Sequence, residues 1–426
     1  MTGQLKYYKI SNVDLSDTTN VQKNFMNVES VSIILASYNT LNYLLMAYQS
    51  IRKYYPTNEI IILDDGSDDG SWEWTLEQSK LDDNLRIWHR ETGNSPVGHT
   101  KTYNIGAQMA RGEIVTIVHS DMVVYRGYLE NMLKHWKPKT VVSATRIEPS
   151  GIYEMSPEKI LKSFGLEYFN FAHKEFEDFC EQEMKDRKDQ TMRSVFAPWL
   201  ISREDYLNTG GMDFCFFGPF PHEDQDFFLR LALDGYTLIQ SRDALVFHFI
   251  SRSHRGWSKN GIGNDNSDFK FYERRAARNY LRKWGKWMQN DATRHPITHK
   301  VFDVGFILRD VVSVEFLHLV EPWAKAIYTD NELITKKYID AEQPTTAVNL
   351  SYRIFDSKLA QPQHDIIIEF SEKDFVRGGN ESVMVLQHLN TMLNEVESNS
   401  VYEYGIFKVT THDVKDHAQE LIVVKN

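Results

Sequence analysis

The chain has 426 residues, 42% of them hydrophobic and 25% charged, which is enough for two or three domains with real cores. A formal net charge of −11 excludes an extended, sequence-independent nucleic-acid surface, which needs clustered Lys and Arg. The two cysteines, Cys180 and Cys215, exclude a disulfide framework, and no run approaches the ~18 apolar residues of a membrane helix.

Residues 1–29 are polar and aperiodic, without a secretory h-region or cleavage signal, so a cytoplasmic protein is expected. From residue 31 strands and helices alternate. VSIILAS (31–37) predicts a strand, LNYLLMAYQSIRKYY (41–55) a helix and EIIILDD (59–65) a second strand. The turn-rich GSDDGS precedes a helix around 71–80, a strand at 85–90, a helix around 98–110 and a strand at 113–119. This alternation is the signature of a parallel sheet with helices on its faces, an α/β fold whose ligands bind beyond the carboxyl ends of the strands. Polar residues sit at three such ends: Ser37, Tyr38 and Asn39; Asp64 and Asp65; His119, Ser120 and Asp121. The last three interrupt the apolar run VTIVHSDMVVY (115–125), and a carboxylate buried there requires a compensating partner.

After VVSATRI (141–147) comes an acidic, aromatic insertion of no clear pattern. Helical spacing returns at 223–234, Gly235 stops it, and YTLIQ restarts a strand. Residues 269–289 predict a basic amphipathic helix, with six Arg or Lys between Arg274 and Lys286 that face solvent or a phosphate-rich partner. HDIIIEF (364–370), SVMVLQHLNTMLNEV (382–396) and EYGIFKVTTHD (403–413) suggest a small α+β unit. The organisation expected is an N-terminal extension (1–29), a main α/β domain (30–260), a basic helical linker (261–296) and an accessory domain (297–426).

Taken in order, ILASYNT, IILDDGSDDGS, YNIGAQMARGEIVTIVHSD, GGMDFCFFGPFPHEDQDFFLRL and VFH resemble the GT-A-fold glycosyltransferases, most closely the family 2 group, over about residues 30–255. The resemblance implies a Rossmann-like, mostly parallel sheet and transfer of a sugar from a nucleoside-diphosphate donor to an acceptor hydroxyl. Ser37, Tyr38, Asn39, Asp65, Gly66 and Ser67 would then hold the nucleoside, Lys101 and Asn104 the diphosphate, and Ser120 and Trp199 would also contact bound substrate. HSD takes the place of the family's Asp-x-Asp metal motif: Asp121 keeps the second acid, and His119 replaces the first. His248 is the further ligand implied, with His254 its competitor, and such a donor set suits Mn2+ at least as well as Mg2+. In PHEDQDF, Asp224 matches the general base of inverting members and Glu223 the residue beside the acceptor. Asp226 is expected to satisfy the helix N-terminus. Gly210 and Gly211 would admit the sugar, and Phe214, Phe216 and Phe217 either stack on it or pack in the core. Arg252 and Arg255 would neutralise the leaving diphosphate.

Two rival readings follow from the same residues. One is a nucleotidyltransferase, disfavoured because ASYNT stands where a Gly-rich phosphate loop belongs. The other is a non-catalytic sugar-nucleotide or glycan-binding module, suggested by the missing first acid and opposed by the intact HEDQD. A glycan, a lipid-linked saccharide, a protein side chain and a modified nucleic-acid base are all compatible acceptors.

Overall fold

The computed structural model describes residues 27–91, 96–219, 221–253, 255–346, 348–359 and 362–424. Its first sheet is built from β1 (Val31–Ser37), β2 (Ile60–Asp64), β3 (Leu85–His89), β4 (Ile114–His119), β5 (Met122–Val124), β6 (Thr140–Glu148), β7 (Lys159–Leu161), β8 (Thr191–Met192), β9 (Trp199–Ser202) and β10 (Thr237–His248). Strand order is β3-β2-β1-β4-β9-β6-β10-β5, with β7 added to β6 and β8 to β10. The β1–β2, β2–β3, β1–β4 and β6–β10 pairs are parallel, whereas β9 runs antiparallel to both β4 and β6.

The parallel strands are buried on both faces and read accordingly as unbroken apolar runs. Ile33, Ile34, Leu35, Ile60, Ile61, Ile62, Ile117 and Val118 are all fully buried. Helices α1 (Leu41–Tyr54), α2 (Ser71–Gln78) and α3 (Gly98–Met109) are the crossovers. Leu44, Ala47, Tyr48 and Ile51 supply the buried stripe of α1 at helical spacing. Two further helices matter below, α4 (Glu223–Leu233) and α5 (Ser267–Trp284). The observed class is the α/β class expected. No helix among the described residues is long and apolar enough to cross a membrane.

A second sheet contains β11 (Val304–Arg309), β12 (Ala326–Thr329), β13 (Ile354–Asp356), β14 (Ile366–Ser371), β15 (Val401–Tyr404) and β16 (Phe407–Thr411), in the order β13-β12-β11-β14-β16-β15. The sequence pattern picks out β14, the helix that follows and β16, but it does not separate β15 from β16 and passes over the parallel strands β11 to β13. This sheet has its own hydrophobic cluster around Phe306, Leu317, Ile327 and Ile368.

Helix α5 joins the two sheets, and here the expectation of a solvated or phosphate-facing basic surface is corrected. Arg278 binds Glu342 at 2.7 Å, and Arg282, fully buried, reaches both Glu321 and Glu342 at 2.7 Å. Lys283, also buried, binds Asp213 at 2.6 Å and Asp226 at 2.7 Å. Arg278, Arg282 and Lys283 answer carboxylates on both sides of the helix, and acids distant in sequence give no local sign of that pairing. Removing one member of a buried ion cluster leaves uncompensated charge at a cost of about 3–5 kcal/mol. Arg282→Met is therefore expected to lower the urea midpoint substantially, whereas Arg274→Ala, on the exposed side of α5, should leave it nearly unchanged.

Candidate active site

A cavity of about 790 Å3 opens beyond the carboxyl ends of β1, β2 and β4. Ser37, Tyr38, Asp65, His119, Ser120, Asp121, Trp199, Glu223, Asp224 and His248 all line it. Strand pairing accounts for the convergence. After His119 the chain turns at Ser120 and Asp121 into β5, which runs antiparallel to β10 with Met122 opposite His248. Phe249 N–H donates to Asp121 O at 3.0 Å and continues that pairing.

His119, Asp121 and His248 offer ligand atoms that all lie within 4.8 Å of one another. His248 Nε2 is 3.4 Å from Asp121 Oδ1, and Arg252 N–H donates to Asp121 Oδ2 at 3.2 Å. Burial raises the Asp121 carboxyl, but the His248 and His119 rings and the Arg252 amide outweigh it and hold the group well below the usual carboxylate range. Burial lowers His248, yet Asp121 and Glu148 on its two sides push it up to about 8. His119 is pushed down to about 3 by burial and by the neighbouring His248. An ionised carboxylate with two imidazoles at this spacing is a mixed N/O donor set that fits a borderline divalent cation, the remaining positions being left to phosphate oxygens and water.

The acids of α4 face the cavity from another side. His222, at φ 77°, turns the chain into the helix, so that Glu223 and Asp224 occupy its first turn. Glu223 is buried; its Oε1 is hydrogen-bonded to His99 Nε2, and its Oε2 is buried without a hydrogen-bond partner among the described residues. Asp224 Oδ1 accepts the Gln225 N–H at 2.8 Å. Burial, then the charge of Glu223, raises Asp224 to about 6, a value suited to a base working near neutrality. Burial opposes protonation of His99, but Glu223 more than compensates and leaves its pKa raised.

Among the other residues singled out from the sequence, several have local tasks. Asp65 lines the cavity while accepting from Arg90 Nε (2.7 Å), Val97 N (3.1 Å) and Gly98 N (2.7 Å), and so fastens the start of α3. Gly66, at φ 79°, has no room for a Cβ, which would lie 2.5 Å from Arg90 Nη2. Asn39 and Ser67 tie two loops together: Asn39 N–H donates to Ser67 Oγ at 2.9 Å, and Asp68 N–H donates to Asn39 Oδ1 at 2.8 Å. Ser37 and Ser120 share hydrogen bonds with Thr40 at 3.1 and 3.0 Å. Trp199 is buried against Tyr206, Phe227 and Phe228 as well as lining the cavity.

Other expectations are corrected. Asn104 is committed elsewhere, donating to Met212 O at 2.8 Å and accepting from Tyr206 OH at 2.7 Å. Lys101 is exposed, with its ammonium 5.1 Å from the Phe214 ring centroid. Neither lines the cavity. A Cβ at Gly210 would meet Val424 O and one at Gly211 would meet Asn104 Oδ1, so the close approach these glycines permit is to the protein's own chain. Phe217 is core, and Phe216 packs with the same cluster on α5. Arg252 and Arg255 both line the cavity; Arg252 Nη1 binds Glu167 at 3.0 Å, and Arg255 lies beside Asp265. Asp226 does more than satisfy the helix start, since it receives Arg230 Nε at 2.8 Å and Trp284 Nε1 at 2.9 Å. His254 lies outside the described residues.

Sequence reasoning missed Glu148 and His99. Glu148 ends β6 and accepts from His248 Nδ1 at 3.2 Å; His99 starts α3 and holds Glu223. The position of Glu148 at a strand end was the available signal, and it was obscured because the pairing of β6 with β10 is not written locally.

Residues 32–206 match the model of the family described as Glycosyl transferase family 2. The glycosyltransferase GlyG of Streptococcus pneumoniae serotype 4 is 34% identical over 112 residues, covering 26% of this chain and 36% of GlyG. Glycosyltransferase GlyA of the same organism is 34% identical over 107 residues, covering 25% of this chain and 15% of GlyA. The matched stretch thus spans about a third or less of these curated relatives. Among solved structures, GalNAc-T7 with UDP, GalNAc and Mn2+ is similar at 16% identity and a TM-score of 0.42, over 60% of this chain and 48% of that one. The mannosyltransferase PcManGT from Pyrobaculum calidifontis, in complex with GDP-Man and Mn2+, is similar at 15% identity and a TM-score of 0.39, over 63% of this chain and 67% of that one.

A cation bound only by the folded chain raises its stability by about 2.7 kcal/mol at a hundredfold excess over Kd. Millimolar Mn2+ should therefore raise the melting midpoint by several degrees, and Asp121→Asn should abolish the rise. Absence of any shift in the unmodified chain counts against a cation site.

Proposed function

We propose, for a chain whose residues 32–206 carry a family 2-like glycosyltransferase domain, that it transfers a sugar from a nucleoside-diphosphate donor to an acceptor hydroxyl with inversion at the anomeric carbon. The observation that carries this reading is a single cavity holding two different acidic centres: the His119, Asp121 and His248 cluster, and the Glu223 and Asp224 pair at the start of α4.

The two centres divide the chemistry. His119, Asp121 and His248 would hold Mn2+ or Mg2+, which supplies electrostatic stabilisation to the leaving diphosphate when bound. Asp224 accepts the acceptor hydroxyl proton as that oxygen forms a bond to the anomeric carbon. The bond from that carbon to the diphosphate oxygen breaks, and its electron pair departs with the nucleoside diphosphate. Glu223, fixed by His99 through one oxygen, has its other oxygen for a substrate hydroxyl. Ser37, Tyr38, Asp65 and Ser120 line the part of the cavity at the strand ends, where a nucleoside fits the general rule for open parallel sheets. Arg255 lines the same cavity and is the cation this reading assigns to the phosphates.

The test is a panel of UDP- and GDP-sugars with Mn2+, scored for release of nucleoside diphosphate with and without simple glycoside acceptors. Loss of a general base typically costs 10²–10⁴-fold, so Asp224→Asn should reduce kcat by about that factor while leaving donor KM within about threefold. Near-normal turnover by Asp224→Asn would remove that residue from the mechanism. The pH profile gives an independent check. A carboxylate raised to about 6 is the active, ionised base above that pH and is protonated below it. Transfer should therefore fall about tenfold per unit as pH drops below 6, and a rate flat from pH 7 to 4.5 would contradict the assignment.

A further inference from the structure

We propose that Glu148 is the positioning residue of the cation site, acting through His248; this rests on the metal-holding role given above to His119, Asp121 and His248. Strands β6 and β10 are parallel in this region, with Ile147 opposite Phe247, so Glu148 and His248 leave the sheet side by side. Glu148 Oε1 lies 3.2 Å from His248 Nδ1, and Asp121 Oδ1 lies 3.4 Å from His248 Nε2. The imidazole is therefore held edge to edge between two carboxylates. Only one of these, Asp121, belongs to the group of ligand atoms within 4.8 Å of one another.

Glu148 is itself fixed. Arg146 Nη1 is 3.1 Å from its Oε1, and Lys159 Nζ is 3.1 Å from its Oε2; all three side chains are buried. Arg146 is in turn stacked on the Phe196 ring, 3.6 Å from its centroid, which leaves the guanidinium little freedom. A carboxylate flanked by two cations accepts hydrogen bonds and donates none. Facing Nδ1, it keeps hydrogen on that atom, so Nε2, on the Asp121 side, is the nitrogen left for a cation. Carboxylate partners of metal-bound imidazoles act in this way, and their loss typically weakens metal binding 10–100-fold. Glu148 lines the cavity but is not a member of the His119, Asp121 and His248 group, so its effect on the cation passes through the orientation of one ring.

A competing explanation is that Glu148 only neutralises Arg146 and Lys159. Titration of the full chain with Mn2+, followed by the electron paramagnetic resonance signal of the free ion, separates the two without any substrate. Glu148→Gln should raise the Mn2+ Kd 10–100-fold. Because that variant strands two buried cations, the double variant Glu148→Gln with Lys159→Met removes one charge of each sign and carries the test if the single variant does not fold. Lys159→Met alone, which keeps the Arg146 contact to the oxygen of Glu148 that faces His248, should weaken Mn2+ binding far less than the double variant, which should show the full loss. Equal Kd values for Lys159→Met and the folded double variant would overturn the role of Glu148 while leaving the cation site standing. If the unmodified chain binds no more Mn2+ than Asp121→Asn, the cation site itself fails, and this inference fails with it.

Discussion

Asp121 is only 6% exposed at the point where the apolar strand β4 runs out, so its charge must be answered within a few ångströms. The answer comes from β10 and depends on register. Between Gln240, opposite Ser143, and Leu245, opposite Thr145, β10 advances five residues while β6 advances two. Three extra residues are accommodated by this irregularity, and an odd shift exchanges the two faces of a strand. The exchange brings His248 level with Glu148 and, through the antiparallel pairing with β5, beside Asp121. Ser241 Oγ donates to Asp243 Oδ1 at 2.7 Å, and Asp189 N–H donates to Asp243 Oδ2 at 2.8 Å, so the extra residues are themselves fastened. A single misregistered residue would remove the imidazole and leave a buried carboxylate without its strongest compensating group.

The cavity holds carboxylates in opposite electrostatic states because their surroundings differ. Asp121 sits among two imidazoles and a backbone N–H, so ionisation is favoured despite burial. Asp224 is only partly buried, but that burial and then the charge of neighbouring Glu223 oppose its ionisation, and its value rises to about 6. Pairs of acids pushed apart in this way can serve as charge holder and proton acceptor within one crevice. His99 keeps the second pair from collapsing into mutual repulsion by binding Glu223, which leaves Asp224 as the acid whose protonation is finely balanced.

Much of the first sheet was legible because its physics is local. Runs such as VSIILAS and EIVTIVH are continuous and apolar, the crossover helices have regular spacing, and the acids mark strand ends. His248, implied by the family resemblance, does lie with His119 and Asp121. The pairings of Asn104, Arg252 and the α5 residues Arg278, Arg282 and Lys283 are not legible for the opposite reason, since their partners lie far away in sequence. Arg252 is 85 residues from Glu167, and Asn104 is 108 residues from Met212. No periodicity records such pairings. The glycines at 210 and 211 were rightly recognised as sites of close approach, but a sequence cannot say whether ligand or chain does the approaching. In the second sheet, β12 has four residues and β13 three, too few for a pattern to stand out from loops.

The placement of α4 shows how the region after residue 260 bears on the cavity without lining most of it. Asp226, one step beyond the acidic pair, is fully buried and is gripped by Arg230, Lys283 and Trp284. Burial raises its carboxyl, but Lys283 and Arg230 prevail and hold it below the ordinary carboxylate value. Arg230 also donates to Thr209 O at 3.0 Å, Gly211 O at 2.5 Å and Ile422 O at 3.1 Å, joining α4 to the glycine loop and to the C-terminal segment. Lys283 extends the link through Asp213 to the same loop, and Arg282, its neighbour on α5, reaches the acids of the second sheet region. The first turn of α4 is thus located by buried ions that span both sheets. Packing alone tolerates small slides of a helix, but a buried ion with several fixed partners does not. That rigidity is what a carboxylate needs if it is to meet a hydroxyl at one defined position.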